Sequence, residues 1–326
     1  MHLKPFDYYR PDSLAELAEI MDAREAGGFA LMGGGTDVLV KMKQRLLLPA
    51  TVISLSGIPE MTKLENRGRD LFIGAGITLN RLEESSQVLS HFPALAQAAG
   101  SVGSPQLRNM GTIGGNICLD TRCLYFNQSQ WPGAFSPCYK RGGDRCHVVK
   151  GGKRCYALFS ADTPAALLAY EARLLISGPD GEREAPIAEF YRDDGLSCRL
   201  IGAKELLLGI KLPLRPEHTG CYLRFSTRGA IDFPLAGVAV VMEKASGGTA
   251  LNCRAAATGI QSRPVRLIKM EEVLAGGIRP WKITEGEFSE GMNGLRLVRH
   301  QGVSTSYRRE IVKVLVERAL ERLTTP

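Results

Sequence analysis

Cys123, Cys138, Cys146 and Cys155 fall within one short stretch of the chain that is otherwise rich in glycine, proline and basic residues. Four thiolates match the ligand count of a tetrahedral zinc site and of a 4Fe-4S cluster alike. No C-x-x-C pair occurs among them, and the intervals are wider than in common zinc ribbons or ferredoxins. Spacing therefore leaves an iron–sulfur cluster, zinc and unligated thiols all open. Lys140, Arg141, Arg145, Lys150, Lys153 and Arg154 surround the thiols, opposed only by Asp144, so a net-negative centre there would be partly compensated. Cys118 reads as a small packed residue, and Cys198, Cys221 and Cys253, scattered through strand-like surroundings, as buried small hydrophobes.

Two glycine-rich segments form the second chemical signal. Gly33-Gly34-Gly35-Thr36-Asp37 lies between an apolar run, Phe29 to Met32, and a helical register at Val38, Leu39, Val40 and Met42. Unhindered N–H groups at such a strand-to-helix loop, with the helix dipole behind them, can receive phosphate oxygens. The segment is neither G-x-G-x-x-G nor a P-loop, and a plain tight turn would read the same way. Thr112-Ile113-Gly114-Gly115-Asn116 supplies a second loop of this kind. Two separate glycine loops suit a dinucleotide, which has two phosphates, and Thr112 and Asn116 add a hydroxyl and an amide.

The elements that must position these residues mix strands and helices. Ser13 and Glu16 read as a capping box for a helix ending near Gly27 and Gly28. Thr51 to Leu55 and Leu71 to Ile77 carry strand character, and Pro93 through Ala99 reads as a helix before the second glycine segment. From Thr121 to about Phe159 no periodicity survives, which marks a long functional loop. Regular structure resumes with a helix at Ala165 to Ala169 and strands at Arg173 to Ser177 and Leu206 to Leu212. Pro213 to Glu217 reads as a linker, so residues 1–216 and 217–326 are expected to form two domains, with the cysteine loop, about 121–159, inserted in the first. Strands at Tyr222 to Phe225 and Gly237 to Met242 and a final amphipathic helix capped by Ser304 complete the second.

Length and composition suit such a two-domain molecule: 326 residues, 44% hydrophobic and 23% charged, enough for a substantial core. Residues 1–28 hold no uninterrupted apolar run of signal-peptide type, and nowhere do eighteen apolar residues follow one another. A cytoplasmic chain with no membrane span is expected, its eight cysteines reduced. The formal charge of +7 is interspersed with acids and lacks a basic tract or aromatic stacking pattern, which argues against a nucleic-acid partner.

The segments LMGGGTDVLVKMK and GSPQLRNMGTIGGNI resemble the two FAD-binding segments of the flavoprotein subunits of the molybdenum hydroxylase, or xanthine oxidase, family. The resemblance continues through SADTPAALLAYEA, KELLLGIKLP, YLRFSTRGAIDFPLAGVAV and SYRREIVKVLVERAL, covering nearly the whole chain. It implies an α+β fold: a two-part FAD-binding domain of PCMH type, with the cysteine-rich loop insertion, followed by a smaller α+β C-terminal domain. Carried over by motif position, the backbone of Leu31, Met32, Gly33, Gly34, Gly35, Thr36 and Asp37 would hold the FAD pyrophosphate together with that of Thr112, Ile113, Gly114, Gly115 and Asn116. Asp162 would hydrogen-bond the cofactor on its ribityl or isoalloxazine side, Leu207 would pack near the ring, and Arg224 would stand where the family often has a lysine. Each has a plainer reading: Asp162 as a helix N-cap, Leu207 as a core leucine, and Arg224 as a salt-bridged arginine.

Family members ordinarily pass from the Gly-Gly-Asn-Ile segment almost directly into the Ala-Asp-x-Pro helix, whereas here about forty residues intervene between Leu119 and Asp162. The insertion resembles that of the flavin subunits of 4-hydroxybenzoyl-CoA reductases, which carry an extra 4Fe-4S cluster. Cys123, Cys138, Cys146 and Cys155 would be its ligands, since zinc would only staple the loop while a cluster beside a flavin can exchange electrons with it. The implied activity is that of an electron-transfer subunit of an oxidoreductase, with no catalytic residue of its own. Its implied partners are a molybdopterin-containing large subunit, a 2Fe-2S small subunit and an external ferredoxin-type carrier. Electrons would flow toward molybdenum to remove a phenolic hydroxyl from an aromatic CoA thioester. The rivals are the flavin subunit of an oxidative hydroxylase or of an aldehyde or CO-type dehydrogenase, and a flavin-binding module with a zinc-stapled loop.

Overall fold

The computed structural model describes residues 2–127, 136–244, 250–275, 282–299 and 302–325. Its strands fall into three sheets. β1 (Asp7–Tyr9), β2 (Phe29–Met32) and β3 (Thr51–Ser54) pair in parallel in the order β1-β3-β2. All four residues of the central strand are buried, as expected for a parallel strand covered on both faces. β2 delivers the chain into the first glycine loop, and the helix Val38–Lys43 carries it away.

β4 (Leu64–Arg67), β5 (Asp70–Gly74), β6 (Arg173–Gly178), β7 (Gly181–Pro186) and β8 (Leu206–Pro213) form an antiparallel sheet ordered β4-β5-β8-β6-β7. Gly209 in β8 admits the Phe72 ring, which a Cβ would meet at 2.5 Å. β9 (His218–Phe225), β10 (Ala236–Lys244), β11 (Ala250–Thr258) and β12 (Val265–Arg266) form the third sheet, ordered β12-β11-β10-β9.

The third sheet serves two cores because side chains alternate across a strand. Tyr222, Ala239, Val241 and Ala256 join the large core of the first unit, built over the helices Pro93–Gly100 and Thr163–Ala169. Val238, Val240, Met242, Ala255 and Ala257 turn the other way, onto Val312, Val316 and Ala319 of the helix Thr305–Thr324. None of the described helices is long and apolar enough to cross a membrane.

The insertion is closed at its neck. Arg122 and Leu158 exchange both backbone hydrogen bonds, at 2.7 and 2.8 Å. The Phe159 amide donates to Gln261 and its carbonyl accepts from Gly259, which moors the neck to the third sheet. Instead of an unbroken loop, the described part of the insertion has a helix at Leu124–Asn127 and a 3-10 turn at Tyr139–Arg141.

Two local expectations differ. Ser13 accepts from the Glu16 amide, but the Glu16 carboxylate takes the Asp12 amide instead of closing a box on Ser13, and the helix ends at Asp22. The full capping box lies instead at Thr284 and Glu287. Arg308 is fully buried and donates only to backbone carbonyls, those of Leu235, Val298 and Gly259. Burial without a carboxylate pushes its guanidinium down to about 10. Arg308→Met would leave these carbonyls without their donor, so we expect a loss of about 3 kcal/mol of stability, read as a lower urea midpoint with unchanged slope.

Candidate functional site

A cavity of about 870 Å³ opens between the first two sheets. Residues 33–37 form one wall, and Thr112 with residues 114–116 another; Asp162, Leu206 and Leu207 close the base, and residues 231–233 reach over from the second unit. The glycines permit the approach of these walls. A Cβ on Gly34 would overlap the Met110 carbonyl, and one on Gly33 would lie 2.6 Å from the Thr112 hydroxyl. Gly35 has φ +75°, in the left-handed region that glycine enters freely.

The two glycine segments differ in how their amides are used. Among the described residues, no backbone carbonyl accepts from the N–H groups of residues 33–37. Four of the five in the second segment are engaged: Ile113 donates to Ile77, Gly114 to Ala75, Gly115 to the Thr112 hydroxyl and Asn116 to the Thr112 carbonyl. Thr112 is the N-cap of the helix Ile113–Ile117, so the predicted loop is in fact a helical turn. Asn116 Oδ1 accepts from the Thr163 amide and hydroxyl, which holds its side chain in place at the cavity wall.

Asp162 is buried and occupies the N-cap position of the helix Thr163–Ala169, yet its carboxylate makes no cap bond. It instead accepts from the Tyr222 hydroxyl at 2.7 Å and pairs with Arg224 at 3.4 Å. Burial pushes the Asp162 carboxyl up, opposed by the Arg224 charge and by the hydrogen bonds from both partners. Arg224 also donates to the Asp232 carbonyl. Ile231, held at φ +52° and thus strained for a β-branched residue, donates its amide to Gly103 and ties the second unit across the cavity rim.

Residues 4–215 match the family model for the FAD binding domain in molybdopterin dehydrogenase, and residues 222–323 that for the CO dehydrogenase flavoprotein C-terminal domain. The chain belongs to the FAD-binding medium subunits of the molybdenum hydroxylase family. It is 30% identical over 262 residues to the carbon monoxide dehydrogenase medium chain of Hydrogenophaga pseudoflava, covering 80% of this chain and 77% of that one. It is 28% identical over 291 residues to the aldehyde oxidoreductase FAD-binding subunit PaoB of Escherichia coli K12, covering 84% and 87%. A solved structure of the Hydrogenophaga pseudoflava carbon monoxide dehydrogenase superposes with a TM-score of 0.77 at 26% identity over 98% of each chain. The mixed helix-and-sheet fold expected from the motifs is the one found, and this medium subunit is an oxidoreductase component that binds FAD.

The chain's own atoms fit that cofactor. The unengaged amides of residues 33–37 offer an anion cradle, and Arg122 brings a guanidinium to the same wall with its Nε buried and unpartnered among the described residues. The expected site residues mostly converge, with three departures: Met32, Ile113 and Arg224 do not line the cavity. Ile113 lies in the core, its amide and that of Gly114 turned into the protein, so beyond Thr112 the second segment gives shape and side chains rather than free amides to a pyrophosphate. Arg224 is turned onto Asp162. Leu207 is both core residue and cavity wall.

Sequence reasoning missed Arg122 and Tyr222. Tyr222 stands two residues from Arg224 on β9, so strand alternation alone places both on the face of Asp162. Arg122 pairs with Asp37, 85 positions away, and no local signal reveals this.

The four insertion cysteines line one small void together with Tyr125, His147 and Val148. Burial pushes Cys155 up to about 11 and raises Cys123. Such thiols stay protonated at neutral pH until a metal displaces the proton.

Gly34→Ala should force the two walls apart and reduce retained flavin by roughly tenfold, equivalent to about 1.4 kcal/mol. Gly286→Ala, whose Cβ meets open space, should leave it unchanged. Flavin absorbance per folded chain reads both.

Proposed function

We propose that this medium subunit is the FAD- and 4Fe-4S-binding electron-transfer subunit of a molybdenum enzyme of the 4-hydroxybenzoyl-CoA reductase type. The observation that carries the reading is the convergence of the insertion's four thiols on one void, with Phe126 packing between them and the flavin cavity. Cys123, Cys138, Cys146 and Cys155 all line that void of the insertion. Redox-inert zinc held by the same four thiolates would only staple the loop. A 4Fe-4S cluster ligated there would stand beside a flavin site and could exchange single electrons with it. When bound, FAD would supply exchange between two-electron and one-electron chemistry, and the cluster one-electron exchange.

In this reading residues 1–216 are the FAD-binding domain and residues 217–326 the C-terminal domain. Residues 33–37 hold the pyrophosphate by their amides, and Leu207 gives the ring an apolar wall. Asp162 accepts from the ribityl or isoalloxazine side, with Arg224 and Tyr222 fixing its carboxylate. A molybdopterin-containing large subunit and a 2Fe-2S small subunit complete the enzyme. Substrate chemistry takes place on the large subunit: each aryl C–OH bond replaced by C–H consumes two electrons and two protons and releases water. A ferredoxin-type carrier delivers the electrons singly, and the exposed Arg145, Lys150 and Lys153 around the insertion favour an acidic protein in that role.

A second reading rests on the relatives, whose names describe carbon monoxide dehydrogenase and aldehyde oxidoreductase chains: the flavin subunit of an oxidative hydroxylase, with electrons leaving through FAD. A third reading is a flavin-binding module with a zinc-stapled loop.

Acid release from the purified chain should yield FAD and not FMN, and analysis should find about four irons and four sulfides per chain. Cys138→Ser should abolish the electron paramagnetic resonance signal of the reduced protein, with Cys118→Ser far milder. Stoichiometric zinc without sulfide would select the third reading, and a cluster surviving Cys138→Ser with Cys146→Ser would remove the assignment. Native mass spectrometry should find three different chains in the isolated enzyme, and a fully active enzyme made of this chain alone would refute the assembly.

A further inference from the structure

Between the flavin cavity and the cysteine insertion lies a buried ammonium that neither site uses as a ligand. The Lys140 side chain is 6% exposed and donates to Asp120 Oδ1 at 2.6 Å, to the Thr121 hydroxyl at 2.6 Å and to the Gly195 carbonyl at 2.7 Å. Its Nζ also stands 5.0 Å from the centroid of the Phe126 ring. Phe126 lines the flavin cavity and packs in the small apolar cluster with Cys123 and Cys155, so one side chain touches both compartments. The Phe126 amide in turn donates to Cys123 Sγ at 3.3 Å.

The ammonium is also the first member of a chain of alternating charge. Asp120 lies 3.6 Å from Lys41, Lys41 pairs with Asp37 at 2.8 Å, and Asp37 takes Arg122. Asp120, Lys41, Asp37 and Arg122 all line the flavin cavity, while the charge of Lys140 reaches Cys155 on the insertion side. Three cations face two anions along this path. Charges held out of water are weakly screened, so a fixed cation beside a centre that gains an electron stabilises its reduced form.

We infer that Lys140 is a positioning residue that raises the reduction potential of the redox centre held by the insertion's cysteines and couples it electrostatically to the flavin cavity. The inference rests on the reading of those cysteines as cluster ligands. Asp120 acts in the opposite sense, because its carboxylate offsets the ammonium. Removal of either charge shifts the potential in a direction set by its sign. Loose packing alone has no such sign.

The test is a potentiometric titration of the isolated enzyme followed by electron paramagnetic resonance, with iron and sulfide measured per chain. Lys140→Gln should move the cluster midpoint to lower potential and Asp120→Asn to higher, with iron and sulfide as in the wild type. Should Lys140→Gln lose its cluster, Asp120→Asn decides alone: an upward shift supports the inference and an unchanged midpoint overturns it. Midpoints that ignore both substitutions, or that move in the same direction, would overturn the inference while leaving the cluster assignment standing. A wild-type chain without iron or sulfide would overturn the assignment and the inference with it.

Discussion

The carbonyl of Met110 lies against the backbone of Gly34, in space that a Cβ would occupy. That peptide-to-peptide approach sets the distance between the loop leaving the parallel sheet and the segment leading into the helix Ile113–Ile117. The second side of the contact is anchored separately, since Leu79 donates to Gly111 and Ile113 to Ile77, and Thr78 and Thr112 form a bridge. The amides of residues 113–116 are consumed in holding this wall still. Those of residues 33–37 are left for the cofactor. One rigid wall and one open cradle thus follow from which glycine segment has protein on its far side.

The second unit is part of the site because of one buried carboxylate. An ionised Asp162 in the core would carry a large desolvation cost, and its neighbours on β9, Tyr222 and Arg224, offset it. Strand alternation that brings them to Asp162 also sends Cys221 to the core beneath the C-terminal helix and leaves Leu223 packed against it. The helix, through Arg308, holds the carbonyls of Leu235 and Gly259. Gly259 in turn bonds Phe159 at the neck of the insertion. Removing one member of the carboxylate group would therefore be felt both at the cavity and along this path.

Local chemistry was legible in the sequence wherever a residue's partner lies nearby in the chain or wherever a backbone feature dictates the residue type. The strand, glycine loop and helix at residues 29–43 appear as read, as do the helix after Thr163 and the long C-terminal helix capped by Ser304. The second glycine segment was misread in kind. Gly114 and Gly115 suggested a loop, but Gly114 is required by the 2.7 Å approach of Ala75 to where a Cβ would lie, a demand that comes from another strand's end. Arg224 was placed at the cavity because its motif neighbours lie there, while Asp162, 62 positions earlier, draws it away. Long-range ion pairs leave no periodicity, so the Arg122 to Asp37 pair could not be found from spacing.

The insertion separates into two physically different parts. Its neck is held by backbone hydrogen bonds that need no ligand: the Arg122 to Leu158 pair, and the Gly195 amide donating to the Cys155 carbonyl. Among the described residues its interior has a small apolar cluster, of Cys123, Phe126, Cys155 and Ala157, and the void among the thiols, about 10 Å³, holds no more than about one water. A bound cluster must therefore spread these side chains and displace the Cys123 and Cys155 thiol protons that burial holds in place. The free energy of ligation then becomes folding free energy for the interior, while the neck stands without it. Because Phe126 and Lys140 lie at the junction of the two parts, ordering of the interior would be felt first at the wall of the flavin cavity.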